Sequence, residues 1–478
     1  MNTAISANMP SPFLTDRRGF LSHMAGAGFG MLGLSTVSET RAAMVDTHPL
    51  APRSPQFTPR AKRVLHIFAN GGPSAVDTFD HKPALAKYAG RPLPTHYNTD
   101  NPTAGAMPSP FVFKRYGESG LASSELFADL AAAHADDLCL IRSLYTDTPI
   151  HEASLRMMNT GSLVVPRPSL GSWVTWGLGT ENRNLPGYVS LVPSGLPFIG
   201  EDNWKSSFLP NVFQGTYVAT NREAGKPLID NLTNPRLTRE TQTRQMSLVA
   251  KMNARHFERN TDYPELASSI HNYQTAFRMQ VEATDAFDIS KEPESVRKMY
   301  GDTPNGRQLL VARRLLERGV RFVQAWHGPE QPWDSHKDLE KNHRRLAKES
   351  SQGITALLTD LKSLGLLEDT LVIWGGEFGR TPLAQIEPGK AGNTGGRDHN
   401  PFGFTMWMAG GGVKGGTTYG ATDDFGFKAV ENRVHVHDLH ATILHLLGFD
   451  HERMTYHHAG RDFRLTDVHG HVIREVLA

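Results

Sequence analysis

Short apolar runs alternate with longer amphipathic stretches over most of this 478-residue chain. The apolar runs have the length of buried β-strands, and the amphipathic stretches repeat their apolar residues with the period of a helix. Strands are predicted at Val64–Ala69, Leu138–Ile141, Tyr188–Val192, Arg321–Trp326, Leu371–Trp374 and Phe404–Met408. Helices are predicted at Ser124–Ala135, His151–Asn159, Gly306–Glu317, Leu339–Leu364 and His437–Leu447. Because helical segments separate the strands, the pattern predicts an α/β fold with a mostly parallel sheet covered on both faces.

Residues from about 195 to 302 break this regular alternation. They are more polar, and helical patterns recur only near Leu248–Phe257 and Leu266–Phe287. We therefore predict a helix-containing insertion or cap within a larger domain that spans residues 55–478.

The N-terminus has the pattern of an export signal. Arg17 and Arg18 precede a weakly apolar, glycine-rich run that ends near Val37, and small residues at Ala42 and Ala43 suit cleavage. Residues 1–43 are thus predicted to be a twin-arginine signal peptide, read by the twin-arginine translocase. The alternative is a chance arginine pair before a short buried helix. The apolar run is too short and too rich in glycine to span a bilayer, so we expect a periplasmic or secreted protein without a stable membrane span.

Composition narrows the classes of partner. The formal net charge is +1, and no basic stripe is interleaved with aromatic residues, so nucleic acid is not an expected partner. Cys139 is the single cysteine, which excludes an internal disulfide and a cysteine zinc cage. A small ligand is the more reasonable expectation.

Three polar clusters in the last third of the chain carry the candidate chemistry: Trp333–His336, Gly376–Arg380 and Gly396–His399. The first two closely follow predicted strands, and open α/β sheets bind ligands at the carboxyl ends of their strands. Thirteen of the 22 histidines lie from His327 onward. Carboxylates and imidazoles at one sheet edge would suit a divalent metal.

Several motifs resemble one protein family. These are Phe68–Asp80, Trp333–His336, Gly375–Pro382, Gly396–Pro401 and Asp438–Gly448, within a resemblance that runs from roughly Arg63 to about Gly460. They resemble an exported bacterial family, the domain-of-unknown-function family 1501. That family is similar to the alkaline phosphatase and sulfatase superfamily. The resemblance implies a three-layer α/β/α sandwich with a metal at the strand ends.

The superfamily pattern also implies a set of metal ligands. Asn70 stands where an acidic residue is usual, with Asp77 and Asp80 nearby as substitutes. The superfamily places an Asp and a His after a middle strand, an Asp-His pair after another strand, and a last His that closes the site. The implied ligands of a zinc, calcium, magnesium or manganese ion are Asn70, Asp77, Asp334, His336, Glu377, Asp398 and His399.

The nucleophile is the weakest part of the resemblance. Thr160–Gly161 matches the end of the sulfatase helix motif, and counting back ten residues puts His151 at the nucleophile position. His151 is therefore predicted to be a ligand, a base or a phosphoryl acceptor. Thr146, Thr148 or a metal-activated water are alternative nucleophiles.

Two arginines and the late histidines have competing interpretations. Arg380 and Arg397 either bind a sulfate, phosphate or carboxylate, or neutralise Glu377 and Asp398. His440 and His445 fall on an amphipathic helix, where packing is the favoured role.

Two functions follow from these residues. The first is an exported metal-dependent hydrolase that acts on a sulfate or phosphate ester of a small molecule or saccharide. The alternative is a catalytically degenerate family member that serves as an envelope binding or assembly protein. The hydrolase hypothesis requires the donor atoms of Asp334, His336, Glu377 and His399 to converge on one point.

Overall fold

The strands and helices are given by a computed structural model, which describes residues 49–164, 167–221, 236–259, 270, 273–275, 277–278, 284–386 and 393–478. The predicted signal peptide at 1–43 and much of the predicted helix Leu266–Phe287 lie outside these residues. The described residues all belong to one compact unit. None of their helices is long and apolar enough to cross a membrane.

The strands, numbered in chain order, are β1 (Arg63–Phe68), β2 (Thr103–Ala106), β3 (Phe113–Tyr116), β4 (Leu121–Ser124), β5 (Leu138–Tyr145), β6 (Tyr188–Val192), β7 (Thr216–Ala219), β8 (Phe322–Trp326), β9 (Thr370–Gly375), β10 (Gly379–Ile386), β11 (Asn393–Asn400), β12 (Phe404–Ala409), β13 (Thr417–Tyr419), β14 (Ala421–Thr422), β15 (Ala429–Glu431), β16 (Val434–His435), β17 (Tyr456–His458) and β18 (Arg461–Phe463). Each of the six predicted strands is present.

The α-helices are α1 (Ala75–Thr78), α2 (Ala128–His134), α3 (His151–Thr160), α4 (Leu170–Leu178), α5 (Arg239–Glu258), α6 (Thr284–Phe287), α7 (Glu294–Tyr300), α8 (Pro304–Glu317), α9 (Leu339–Ser363) and α10 (Val436–Leu446). Their ends follow local chemistry. The hydroxyl of Thr303 caps α8 by accepting a hydrogen bond from Gly306 N at 2.9 Å, and Pro304 occupies the first turn. Helix α3 ends at Gly161, whose left-handed backbone suits glycine.

A nine-stranded sheet forms the centre of the described fold, with strand order β13-β5-β12-β9-β1-β8-β6-β7 and with β16 paired to β5. β1 pairs in parallel with both β8 and β9, and β6 pairs in parallel with β7 and β8. β12 is antiparallel to both of its neighbours, β5 and β9. The predicted mostly parallel sheet is therefore confirmed.

Both faces of this sheet are buried under helices. Along β1, Leu65 and Ile67 face one apolar cluster, to which α8 and α9 also contribute, whereas Val64 and Phe68 face another, built with α3, α4 and α10. This alternation follows from the two-residue period of a strand. The result is the expected α/β/α arrangement of three layers.

A second, three-stranded sheet contains residues whose strand structure the apolar pattern did not predict. Its order is β11-β10-β2, and β10 pairs antiparallel with β11, so that Arg380 lies opposite His399. β11 is polar and glycine-rich, so it lacks the apolar alternation that marks a strand. The pairing joins the second and third polar clusters of the sequence.

The predicted insertion at about 195–302 is only partly described. β7 lies within it and extends the central sheet beside β6, and α5 covers the predicted helix near Leu248–Phe257. The polar stretch thus contains an edge strand of the sheet as well as helix.

Candidate metal centre

The loop after β1 fixes the position of Asp334. Gly71 has a φ of +107°, and a Cβ atom there would lie 2.5 Å from the backbone nitrogen of Asp334. Trp333 N also donates to Asn70 O at 3.0 Å, and the Trp333 ring is completely buried. Only glycine allows the two loops to approach so closely, which places the Asp334 carboxylate at the carboxyl end of the sheet.

Three imidazoles surround this carboxylate. His151 Nε2 lies 3.5 Å from Asp334 Oδ2, whereas His336 Nε2 and His399 Nε2 lie 3.0 and 3.3 Å from Oδ1. The two latter nitrogens are 2.9 Å apart. Among the described residues, ligand atoms of His151, Asp334 and His399 all lie within 4.8 Å of one another. The structure thus brings together four of the predicted site residues.

A buried carboxylate holds the His151 ring. His151 Nδ1 lies 2.7 Å from Glu377 Oε1, and the Glu377 carboxylate also accepts a hydrogen bond from Gly71 N at 3.0 Å. The Glu377 carboxylate accepts the Nδ1 proton of His151, and the buried Nε2 atom of the same ring is directed at Asp334 Oδ2, 3.5 Å away. Glu377 therefore orients the His151 ring and is not itself one of the three residues whose ligand atoms lie together.

His336 is oriented in the same way by a residue that the sequence did not single out. Gln385 Oε1 on β10 lies 2.5 Å from His336 Nδ1, which donates to it. His336 Nε2 is thereby directed at Asp334 Oδ1. Gln385 gave no sequence signal because its role depends on the β10 register. The pairing of a histidine with an outer acceptor is typical of metal-bound histidines.

The charges of the cluster respond to this geometry. Burial opposes ionisation of Asp334, but hydrogen bonds from the three imidazoles and the Arg380 charge hold the pKa of its carboxyl well below its usual range. Burial lowers the pKa of His399 to about 4. Burial also acts to lower the pKa of His151, yet the Asp334 and Glu377 hydrogen bonds outweigh it and raise that pKa. A charged carboxylate and a neutral His399 suit a cation ligand set.

The two arginines are not free to meet a substrate, which corrects the role expected for them as charge-stabilising groups. Both side chains are completely buried. Arg380 Nη2 donates to Asp334 Oδ1 at 2.6 Å, and its Nε donates to Gly72 O. Arg397 forms an ion pair with Asp77, with Nε 2.7 Å from Oδ2. Each guanidinium neutralises a carboxylate, although neither partner is the one expected from the sequence.

The remaining predicted ligands have other partners. Asp77 is bound to Arg397 and to the Ser74 hydroxyl, so it is placed outside the cluster. Asp398 accepts hydrogen bonds from the backbone and side-chain nitrogens of Asn101 at 2.8 and 2.7 Å. Asn70 Nδ2 donates to the carbonyls of residues 328 and 330, while its Oδ1 is buried without a partner. A ligand role for Asn70 stays a prediction.

Sequence comparison gives a family. A model described as "Protein of unknown function (DUF1501)" matches residues 61–477. No curated protein sequence matches the chain.

Three hydrolases are among the solved structures to which the chain is similar. The PsFucS1 sulfatase from Pseudoalteromonas sp. is 14% identical, with 82% of this chain and 69% of that chain covered, at a TM-score of 0.33. The phosphonate monoester hydrolase SpPMH from Silicibacter pomeroyi is 12% identical, with 73% and 71% covered, at a TM-score of 0.32. The TAB5 alkaline phosphatase, in a mutant form with magnesium bound, is 11% identical, with 82% and 99% covered, at a TM-score of 0.32.

Proposed function

The chain belongs to the DUF1501 family, and we propose that in it His151, Asp334 and His399 hold one divalent metal ion that serves an exported hydrolase of sulfate or phosphate esters. The substrate would be a small molecule or a saccharide ester. The alkaline phosphatase and sulfatase resemblance of the sequence motifs supports this reaction class.

One observation carries the proposal. The ligand atoms of His151, Asp334 and His399 lie within 4.8 Å of one another, and Glu377 fixes the orientation of the His151 ring. The donor set of imidazole and carboxylate is the set that zinc and related divalent ions accept.

The surroundings favour a single ion. Arg380 Nη2 already donates to Asp334 Oδ1 at 2.6 Å, while Oδ2 faces His151. The guanidinium charge thus lies beside one oxygen of the Asp334 carboxylate and would disfavour a second cation there. Oδ2 is left as the oxygen for the metal.

Each residue has a defined task in the proposed reaction. When bound, a divalent ion polarises an ester oxygen and lowers the pKa of water from about 16 to around 7. His336 is the most exposed imidazole of the cluster, with a side chain that is 32% exposed, and Gln385 holds its Nδ1 proton. Its Nε2 can accept the proton of an attacking water, and Asp334 Oδ1 stabilises the resulting imidazolium. His399 remains neutral as a ligand.

The proposal is tested by metal content and turnover together. Purified protein and Asp334→Asn and His399→Ala variants are analysed for bound metal and assayed with aryl sulfates and aryl phosphates. We expect about one ion per wild-type chain, loss of metal in both variants, and at least about a thousandfold loss of hydrolysis. His457→Ala is the control, since that side chain is exposed and lies outside the cluster. Metal-free wild-type protein, or variants with undiminished activity, would contradict the proposal.

One feature favours the alternative function, that of a catalytically degenerate binding or assembly protein of the envelope. Arg380 and Arg397, the expected anion-binding groups, are both completely buried and paired. A binding protein of the envelope would retain the metal and still show no turnover. Stoichiometric metal without hydrolysis of any ester would therefore select this second function.

A further inference from the structure

A cavity of about 730 Å³ lies beside α3 and away from the three-residue metal group. It is lined by the end of α3, the start of α10 and the segment that contains His469. Its volume falls within the range of about 300–1,000 Å³ that is usual for small-ligand sites. The proposed metal centre does not account for it.

One residue that lines the cavity has a ring nitrogen without a hydrogen-bond partner. His437 Nε2 donates to Gly161 O at 3.1 Å, so its Nδ1 carries a lone pair. This side chain is 4% exposed, lines the cavity, and its Nδ1 has no hydrogen-bond partner. A buried acceptor without a donor is unfavourable, so a ligand hydroxyl brought to this nitrogen by a small shift of the ring would satisfy it.

A second acceptor lies at the rim. His435 Nδ1 accepts a hydrogen bond from His437 N, so its Nε2 proton is directed to Asp147 Oδ2 at 3.0 Å. The imidazole thereby fixes the carboxylate. The Asp147 side chain is 45% exposed, and the fixed carboxylate can accept further hydrogen bonds from a ligand.

The charges of the lining exclude one class of ligand. Asp147, Asp438 and Asp467 all line the cavity, and its one arginine, Arg167, is paired with Asp467 at 3.1 Å. Asp467 is thus offset by Arg167, and the charges of Asp147 and Asp438 repel a sulfate or phosphate group. The His437 and His469 rings are nearly parallel, with centroids 5.2 Å apart, and provide flat surface. Acceptors, a few donors and flat rings together suit a neutral, hydroxyl-rich molecule.

We infer that this cavity binds the neutral sugar portion of the ester substrate. The identification of this ligand as part of the substrate rests on the proposed function. The short stretch of chain between the cavity and the metal cluster supports it. Asp147 precedes His151 by four residues, which span at most about 14 Å when fully extended. A saccharide of a few units can therefore contact the cavity while its ester group lies at the metal cluster.

Calorimetric titration of metal-stripped protein with maltose, cellobiose and lactose tests this inference. We expect at least one of them to bind, and Asp147→Ala and His437→Gln each to weaken binding by about tenfold. His445→Gln is the matched control, because this residue lies on the same helix α10 and does not line the cavity. Thermal unfolding of each variant shows whether it is folded.

Absence of binding by all three sugars, or equal binding by the Asp147 and His437 variants, overturns the inference. Occupation of the cavity by inorganic sulfate in a soaked crystal overturns it as well. Its failure is distinct from failure of the proposed function, because the titration contains neither metal nor ester. Metal-dependent hydrolysis without sugar binding would leave the metal centre intact and remove the sugar site.

Discussion

The buried histidines of the metal cluster and those of helix α10 differ in what their second ring nitrogen faces. In the metal cluster, His151 donates from Nδ1 to Glu377 and turns Nε2 toward the Asp334 carboxylate. On α10, His440 donates from Nε2 to Met158 O at 2.8 Å, and its Nδ1 is buried without a partner. Burial lowers the pKa of His440 to about 3, whereas the pKa of His151 is raised. What the second ring nitrogen faces, and not the number of nearby histidines, therefore distinguishes a metal ligand from a histidine that only packs in the core.

Among the substitutions that test this difference between the two regions, His440→Ala is expected to have the largest effect. The substitution removes a completely buried ring and its hydrogen bond to Met158 O, so we expect about 2–4 kcal/mol of lost unfolding free energy. The metal content of the folded protein should not change. Urea denaturation and elemental analysis measure the two quantities. Loss of metal in the folded variant would place His440 in the metal site and erase the distinction.

A somewhat smaller effect is expected from Glu377→Gln. The amide can still accept the Nδ1 proton of His151, but it lacks the charge that strengthens His151 as a donor. Removal of such an outer carboxylate weakens metal affinity by about 10–100-fold. Competition with a chelator gives the affinity, and Glu349→Gln serves as a control because Glu349 contacts His327 outside the cluster. Unchanged affinity in the Glu377 variant would show that the carboxylate does not support a metal ligand.

The smallest expected effect is on the pH dependence of the unfolding free energy. Burial lowers the pKa values of His66, His343 and His440 to about 3, whereas an unfolded histidine titrates near 6.5. The unfolded chain therefore binds more protons below about pH 6.5. Each neutral ring makes its full contribution to the unfolding free energy above that pH. The contribution is lost as pH falls toward 3, by at most about 1.4 kcal/mol per pH unit for each ring. Between pH 6.5 and 4, His440→Gln should reduce the pH dependence of the unfolding free energy by the contribution of about one bound proton. An unchanged slope would mean that His440 is protonated in the folded state.

The sequence predicted the sheet well because its strands are apolar on both faces. Leu371–Trp374, for example, lies in β9, which is completely covered. It did not predict β11, whose polar residues pair with β10 and whose Gly396 lies so close to the backbone of His336 that a Cβ atom would not fit.

The donor residues of the site were predictable, but their partners were not. Asp334, His336 and His399 stand in recognisable polar clusters. The pairing of Arg397 with Asp77 joins residues 320 positions apart, and the contact of Gln385 with His336 depends on register. Such long-range contacts leave no local signal in the chain.

Anomalous X-ray diffraction from crystals of the protein soaked in zinc tests the central claim most directly. The account predicts one strong peak in contact with His151 Nε2, Asp334 Oδ2 and His399 Nε2, with metal–nitrogen distances of about 2.0–2.1 Å. It predicts no comparable peak beside His437 or His440. A site without a peak at Asp334, or a peak held by the α10 histidines, would contradict it.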